Sequence, residues 1–342
     1  MSELVFGPLE GVAGDPSVTD VVVTGEGRIW VDRGGGMREY QLPIPFRSAR
    51  MVRDYAVQLC AQLGRRLDDA CPIADASSVD GIRVHAVIEP LVPQGAAISI
   101  RFPSRSPPTL QSLAIAGLFP APWFPLLCAL VRRRATILIT GGTGAGKTTL
   151  LKALLGLCGP DERIITVEEV RELGGLDSGN RVSLVTREPN VEGAGAVGLP
   201  DLVKATLRMR PDRVVLGECR GEEIADLLRA FNAGHHGGMV TLHADGVARV
   251  PARLVSLGLL AGLSPEALAM FAEGAFDVVL HVERRGSRRY IGQIGCLTMS
   301  EGWLGGQMLA VWNGAGQPVA GPLWERFCAR WIGPVQREGG RQ

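Results

Sequence analysis

Residues 136–148 read Thr-Ile-Leu-Ile-Thr-Gly-Gly-Thr-Gly-Ala-Gly-Lys-Thr, a short apolar strand running into G-x-x-x-x-G-K-T, and the helical stretch TLLKALLGL follows. This is a phosphate-binding loop between the strand and helix that such a loop requires. Glycines at Gly141, Gly142, Gly144 and Gly146 let successive backbone N–H groups turn inward around a phosphate without Cβ clashes. The helix predicted to begin near Gly146 adds its positive N-terminal end. Lys147 supplies a compact charge that reaches the β- and γ-phosphates, and the Thr148 hydroxyl is placed to ligate Mg²⁺. Thr143, Ala145 and Thr149 complete the predicted nucleotide-binding segment. The chain has only three lysines, Lys147, Lys152 and Lys204, so a lysine at the one position where the loop needs it is not a compositional accident.

Moving outward, 342 residues allow about two domains of ordinary size, and 46% hydrophobic content supports packed cores. A formal net charge of +1 gives no global steering towards nucleic acid. The basic runs Arg132–Arg134 and Arg284-Arg285 with Arg288-Arg289 read first as solvated faces and second as anion or partner contacts. Seven scattered cysteines without a C-x-x-C pair suggest neither a disulfide framework nor a zinc site, which fits a reducing cytoplasm. No apolar run approaches the roughly 20 residues that span a bilayer, so membrane work is expected to go through a docked partner.

The first hundred residues alternate strand and helix patterns and predict a small α/β domain over 1–102, with Val52, Tyr55, Leu59 and Leu63 on one helix face. PSRSPP breaks both periods, so 103–111 reads as a linker. Residues 112–300 alternate helices and strands around the phosphate loop, predicting a RecA-like α/β domain with a parallel sheet. Residues 301–342 form a tail rich in tryptophan and glycine with no clear period. In the second domain, Ile164–Val167 leads to Glu168-Glu169, Val214–Gly217 leads to Glu218, and Met239–Leu242 leads to His243. Ligands of an open parallel sheet sit beyond the carboxyl ends of its strands, so these side chains are expected to face the nucleotide. Hydrolysis of ATP needs one carboxylate for the attacking water and another for the hydrated Mg²⁺, and Glu168 and Glu218 are placed for that work. His85 and His281 fall in apolar alternating segments and read as structural.

Together these segments resemble the secretion and type IV pilus ATPases, and among them the CpaF-type Tad/Flp pilus assembly ATPases. The resemblance runs from about Asp15 to Leu297. DPSVTDVVVTGEGRIWVDR and GRRLDDACPIADASSVDGIRVHAVIEPL look like the family's N-terminal domain, RIITVEEVREL like its acidic box, LRMRPDRVVLGECRGEE like its atypical Walker B segment, and GMVTLHAD like its histidine box. The resemblance implies that Glu168 is the catalytic base, that Glu218 organises Mg²⁺ through water, and that His243 lies near the γ-phosphate. It further implies that Arg101 reaches the phosphates from the N-terminal domain and that Arg187 and Arg220 sense nucleotide or touch a neighbouring subunit. His235 matches a family histidine of less definite role. Glu169 stands where relatives usually have Asp, His236 replaces a residue that is often acidic, and by this resemblance the sequence is expected to enter the N-terminal α/β domain almost directly, without the leading helical segment of longer CpaF-type proteins.

The implied protein is a cytoplasmic Mg²⁺-ATPase, assembled as a homo-hexamer and held at the inner face of the membrane by a pilus or secretion platform protein. The rivals are a conjugative type IV secretion ATPase, a nucleic-acid translocase and a nucleotide switch with little turnover. The translocase would need a basic, aromatic-bearing strand-tracking loop, and none is legible. The pair Glu168 and Glu218 argues against a switch.

Overall fold

The computed structural model describes residues 4–333 except 79, 104–106, 175–178, 188 and 190–192. The chain divides into two compact units, Met1–Pro107 with Val170–Gly175, and Pro108–Glu169 with Leu176–Gln342. Part of the predicted PSRSPP linker lies outside the described residues.

The first unit is built on six antiparallel strands in the order β3-β2-β1-β6-β5-β4, with β1 Asp20–Val23, β2 Ile29–Asp32, β3 Met37–Tyr40, β4 Ile73–Ser77, β5 Arg83–Ile88 and β6 Ala96–Arg101. Burial alternates strictly along β1, β2 and β6, so one face of the sheet is dry. Against it lie the short α1 (Glu10–Ala13) and the amphipathic α2 (Ala49–Gln62). Ser48 caps α2 by accepting a hydrogen bond from Met51 N, and Val52, Tyr55, Ala56, Leu59 and Cys60 form its buried stripe.

The second unit has a nine-stranded sheet in the order β15-β14-β13-β12-β7-β11-β10-β8-β9. Six of these strands are parallel: β7 (Ile137–Thr140), β8 (Ile164–Glu168), β9 (Arg181–Val185), β10 (Arg213–Cys219), β11 (Met239–Leu242) and β12 (Val278–Arg285). Strands β7 and β11 are buried along their whole length, as expected for a sheet covered on both faces. The helices are α3 (Leu110–Ile115), α4 (Trp123–Arg132), α5 (Lys147–Leu155), α6 (Leu199–Thr206), α7 (Glu223–Asn232), α8 (Val250–Leu260), α9 (Pro265–Ala272) and α10 (Trp324–Ile332). No single helix among the described residues is long and apolar enough to cross a membrane. The seven cysteines are free thiols.

The sheet is larger than the parallel one expected. Beyond β12 the chain adds the antiparallel strands β13 (Arg288–Ser300), β14 (Trp303–Val311) and β15 (Val319–Ala320). The tryptophans of this region close the core: Trp312 and Trp324 lie with ring centroids 6.4 and 6.1 Å from Trp123 of α4, and Trp312 stands edge-on to Tyr290 at 5.9 Å. Trp303 is the exception and is 70% exposed.

Candidate active site

The phosphate loop joins β7 to α5, and its backbone shows why glycine is needed there: Gly144 and Gly146 have φ of +68° and +103°, in the left-handed region. Lys147, the first residue of α5, is only 7% exposed despite its charge. Its Nζ donates to the carbonyls of Gly141 and Gly142, each at 3.1 Å, and lies 3.2 Å from His243 Nε2. The ammonium is therefore held at the loop. Thr148 is half-buried in the first turn of α5, while Gly142, Thr143, Gly144 and Thr149 are exposed and Ala145 is buried.

The order of strands fixes how the acidic and histidine side chains approach this loop. Strand β11 is adjacent to β7, β10 is next, and β8 follows. His243, Glu218 and Glu168 thus stand at the carboxyl ends of strands one, two and three places from the loop strand, roughly 5, 10 and 14 Å in backbone separation. His243 and Glu218 bridge the gap: Glu218 Oε1 is 2.6 Å from His243 Nε2, so one ring nitrogen sits between a lysine ammonium and a carboxylate. Burial and the neighbouring Lys147 charge hold the His243 pKa below its usual value, although Glu218 pulls the other way. The neutral imidazole is the stable form beside the loop.

Glu168 ends β8 and is 3% exposed. Its room comes from Gly217, because a Cβ there would stand 2.9 Å from Glu168 Cγ and 3.2 Å from its Oε1. Thr241 Oγ1 donates to the Gly217 carbonyl at 2.5 Å and ties β11 to this part of β10. Sequence reading passed over Gly217; its signal was the small residue immediately before the carboxylate at a strand end. Glu223 was also passed over. It accepts from the backbone N–H groups of Arg220 and Gly221 at 2.6 and 2.9 Å and so fixes the turn after β10.

Arg220 is brought into this constellation, bridging Glu218 and Glu169 with ion pairs of 2.8 Å each. Arg187 is not. It follows β9 at the sheet edge, four strands from β7 or roughly 19 Å, and its guanidinium packs beside Gly195. Part of the LVTREPN motif around it lies outside the described residues. His235 sits in the turn before β11, at the end of that strand opposite His243. Arg101 is exposed at the end of β6 in the first unit, where it pairs in register with Asp20 and Arg83. His281 is buried on β12 with Nδ1 3.0 Å from Thr140 Oγ1, bracing the loop strand. His85 lies half-exposed beside Asp75 at 2.8 Å, not in an apolar setting.

No group of three or more protein side chains able to hold a metal assembles among the described residues. Mg²⁺ asks for less, because it keeps several waters and takes its other oxygens from phosphates and one or two carboxylates. Glu218 fits that demand: Oε1 is buried and makes no aligned hydrogen bond despite its nearness to His243. A hydrated ion at the loop would take oxygens from Glu218 and from the Thr148 hydroxyl in the first turn of α5.

A glycine loop between a central parallel strand and a helix N-terminus, faced by carboxylates at neighbouring strand ends, defines a phosphate-loop α/β protein of RecA-like architecture. Comparison with known proteins narrows this: residues 3–275 match the type II/IV secretion system protein family, and the chain belongs to that family. It is similar to a Mycobacterium tuberculosis protein named for conjugal transfer, with 44% identity over 314 residues that cover 90% of this chain and 88% of the relative. Similarity to the type IV secretion system protein PtlH of Bordetella pertussis is 32% over 310 residues, covering 81% and 89% of the two chains. The fold matches that of the Legionella pneumophila ATPase DotB with a TM-score of 0.59 and 20% identity, over 85% of this chain and 79% of that one.

Proposed function

We propose that this protein is a Mg²⁺-dependent ATPase that works as the motor of a secretion or pilus assembly machine. The observation that carries this reading is the convergence of Lys147, His243 and Glu218 at the loop, with Glu168 one strand further out. Lys147 and the loop amides bind the phosphates, and Mg²⁺, when bound by Thr148 and Glu218, neutralises charge on the phosphate oxygens. Glu168, buried and given space by Gly217, orients and deprotonates the attacking water. Neutral His243 adjoins the γ-phosphate position and hydrogen-bonds there without adding a second cation to Lys147. Arg220 holds Glu218 and Glu169 in place, and Arg187 faces a neighbouring subunit.

The motor works as a homo-hexamer in the cytoplasm, docked on a membrane platform protein, and adds pilins through a Tad/Flp-type apparatus. The second reading, a conjugative type IV secretion motor, draws on the relative named for conjugal transfer. Deleting the gene separates them: loss of surface pili with DNA transfer intact supports the first, and the converse supports the second. The chemistry is tested by Mg²⁺-dependent ATP hydrolysis measured against protein concentration. Specific activity that rises cooperatively supports a ring, and specific activity independent of concentration refutes assembly-dependent turnover.

A further inference from the structure

Strands β12 and β13 form an antiparallel hairpin next to the loop strand β7. Strand β12 pairs in parallel with the loop strand, His281 opposite Thr140, and then continues past it for four residues. The hairpin therefore stands beside the phosphate loop on the side away from β11. Arg284 and Arg289 are directly opposite one another across β12 and β13. Residues paired in this way share a face of the ribbon, and the face they share is turned to the loop. Arg289 Nε donates to the Gly144 carbonyl at 3.0 Å and its Cδ lies against Gly146, while an Arg284 terminal nitrogen lies against Gly144. Arg284 Nε donates to Gly286 O at 3.0 Å, so the hydrogen bonds of both guanidinium groups go to neutral carbonyls. Neither arginine enters an ion pair among the described residues. Like charges set directly across two strands repel, and the arrangement makes chemical sense when an anion shares them.

The sheet order says which anion. Glu168, Glu218 and His243 all lie on the β11 side of the loop, so the γ-phosphate points that way and the nucleoside end leaves on the β12 side. We propose that Arg284 and Arg289 form a clamp for the α-phosphate of the bound nucleotide. This inference rests on the ATPase reading and adds two positioning residues to it. The alternating register turns Arg285 and Arg288 to the other face of the ribbon, where Arg288 bonds the Gly314 carbonyl and takes no part.

The test is calorimetric titration of the full chain with ADP and, separately, with ATP, alongside melting temperature measured without nucleotide. Arg284→Glu replaces a like-charge cross-strand pair with an opposite-charge one, so its melting temperature stays level or rises. Its Kd for ADP and for ATP rises about tenfold or more, the loss of one charge-assisted hydrogen bond. Arg289→Ala shows the same loss for both nucleotides, and Arg284→Gln gives a smaller one should the charge reversal impair folding. Unchanged ADP affinity in Arg284→Glu and Arg289→Ala overturns the clamp, as does a loss confined to ATP, which would mark a γ-phosphate contact. Lys147→Ala separates the two layers: if the unmodified chain binds no ADP, or Lys147→Ala binds it equally well, the nucleotide reading itself fails.

Discussion

Gly217→Ala adds one methyl group where the account can least tolerate it. The backbone of Gly217 does not lie in the left-handed region, so alanine meets no dihedral penalty, and the lost chain entropy favours the variant by about 0.4–1 kcal/mol. The new Cβ would stand 2.9 Å from Glu168 Cγ, closer than side chains tolerate. Overpacking of this size costs about 1–3 kcal/mol, so net stability falls by at most about 2.6 kcal/mol and the protein stays folded. Glu168 relieves the contact by moving, and a misplacement near 1 Å costs about 100-fold in rate. Gly217 lies on β10, two strands from the loop strand β7, so nucleotide affinity should hold. The assay is steady-state ATP turnover beside ADP titration of the same preparation: kcat falls about 100-fold while the Kd for ADP changes less than about threefold. Turnover equal to that of the unmodified chain, in a folded variant, would refute the assignment of Glu168 as the group whose position sets the rate.

Two further outcomes follow from burial. Arg213 is 1% exposed and donates to both oxygens of Glu162 at 2.6 and 3.2 Å, to Gly237 O at 3.2 Å and to Val131 O at 2.8 Å, so Arg213→Ala removes four hydrogen bonds and a large buried side chain, while Gly159 N and Arg134 still hold Glu162 and Arg134 N still bonds Val131 O. Urea unfolding should show a loss of about 2–5 kcal/mol from the lost hydrogen bonds and the cavity left by the side chain. His243 and His281 both have pKa values held below 6.5, each first by burial. A base with a depressed folded pKa contributes stability that is complete above its unfolded value and is lost as pH falls through the folded one. Melting temperature should therefore decline as pH drops below about 6.5, and His281→Gln should flatten part of that decline; an unaltered slope would remove His281 as a contributor.

The parallel half of the second sheet was legible because its strands are short apolar runs between helical patterns, and the loop was legible because its chemistry is contiguous. Glu168, Glu218 and His243 stood out for the same reason, each closing an apolar run. The antiparallel half was not. Strands β13 and β14 carry Gly292, Gly295, Gly305 and Gly306, which interrupt the apolar alternation, and a Cβ at Gly295 or Gly306 would collide with Val247. Their job is close approach by a segment some fifty residues distant, which no local pattern can announce. Arg284 and Arg289 read as a solvated run for a like reason, since their place beside the loop follows from the pairing of β12 with β7. Arg187 shows the opposite limit: its motif context marked it, and the strand order carries it to the sheet edge.

The central claim is that Lys147 binds the phosphates and Glu168 drives hydrolysis, and one paired measurement tests it most directly. ADP and ATP affinity and Mg²⁺-dependent turnover are determined for the unmodified chain, Lys147→Ala and Glu168→Gln. The account predicts that Lys147→Ala loses affinity and turnover together, while Glu168→Gln keeps its affinity and loses turnover by about 100-fold or more. Turnover retained in Glu168→Gln, or nucleotide affinity retained in Lys147→Ala, would contradict it.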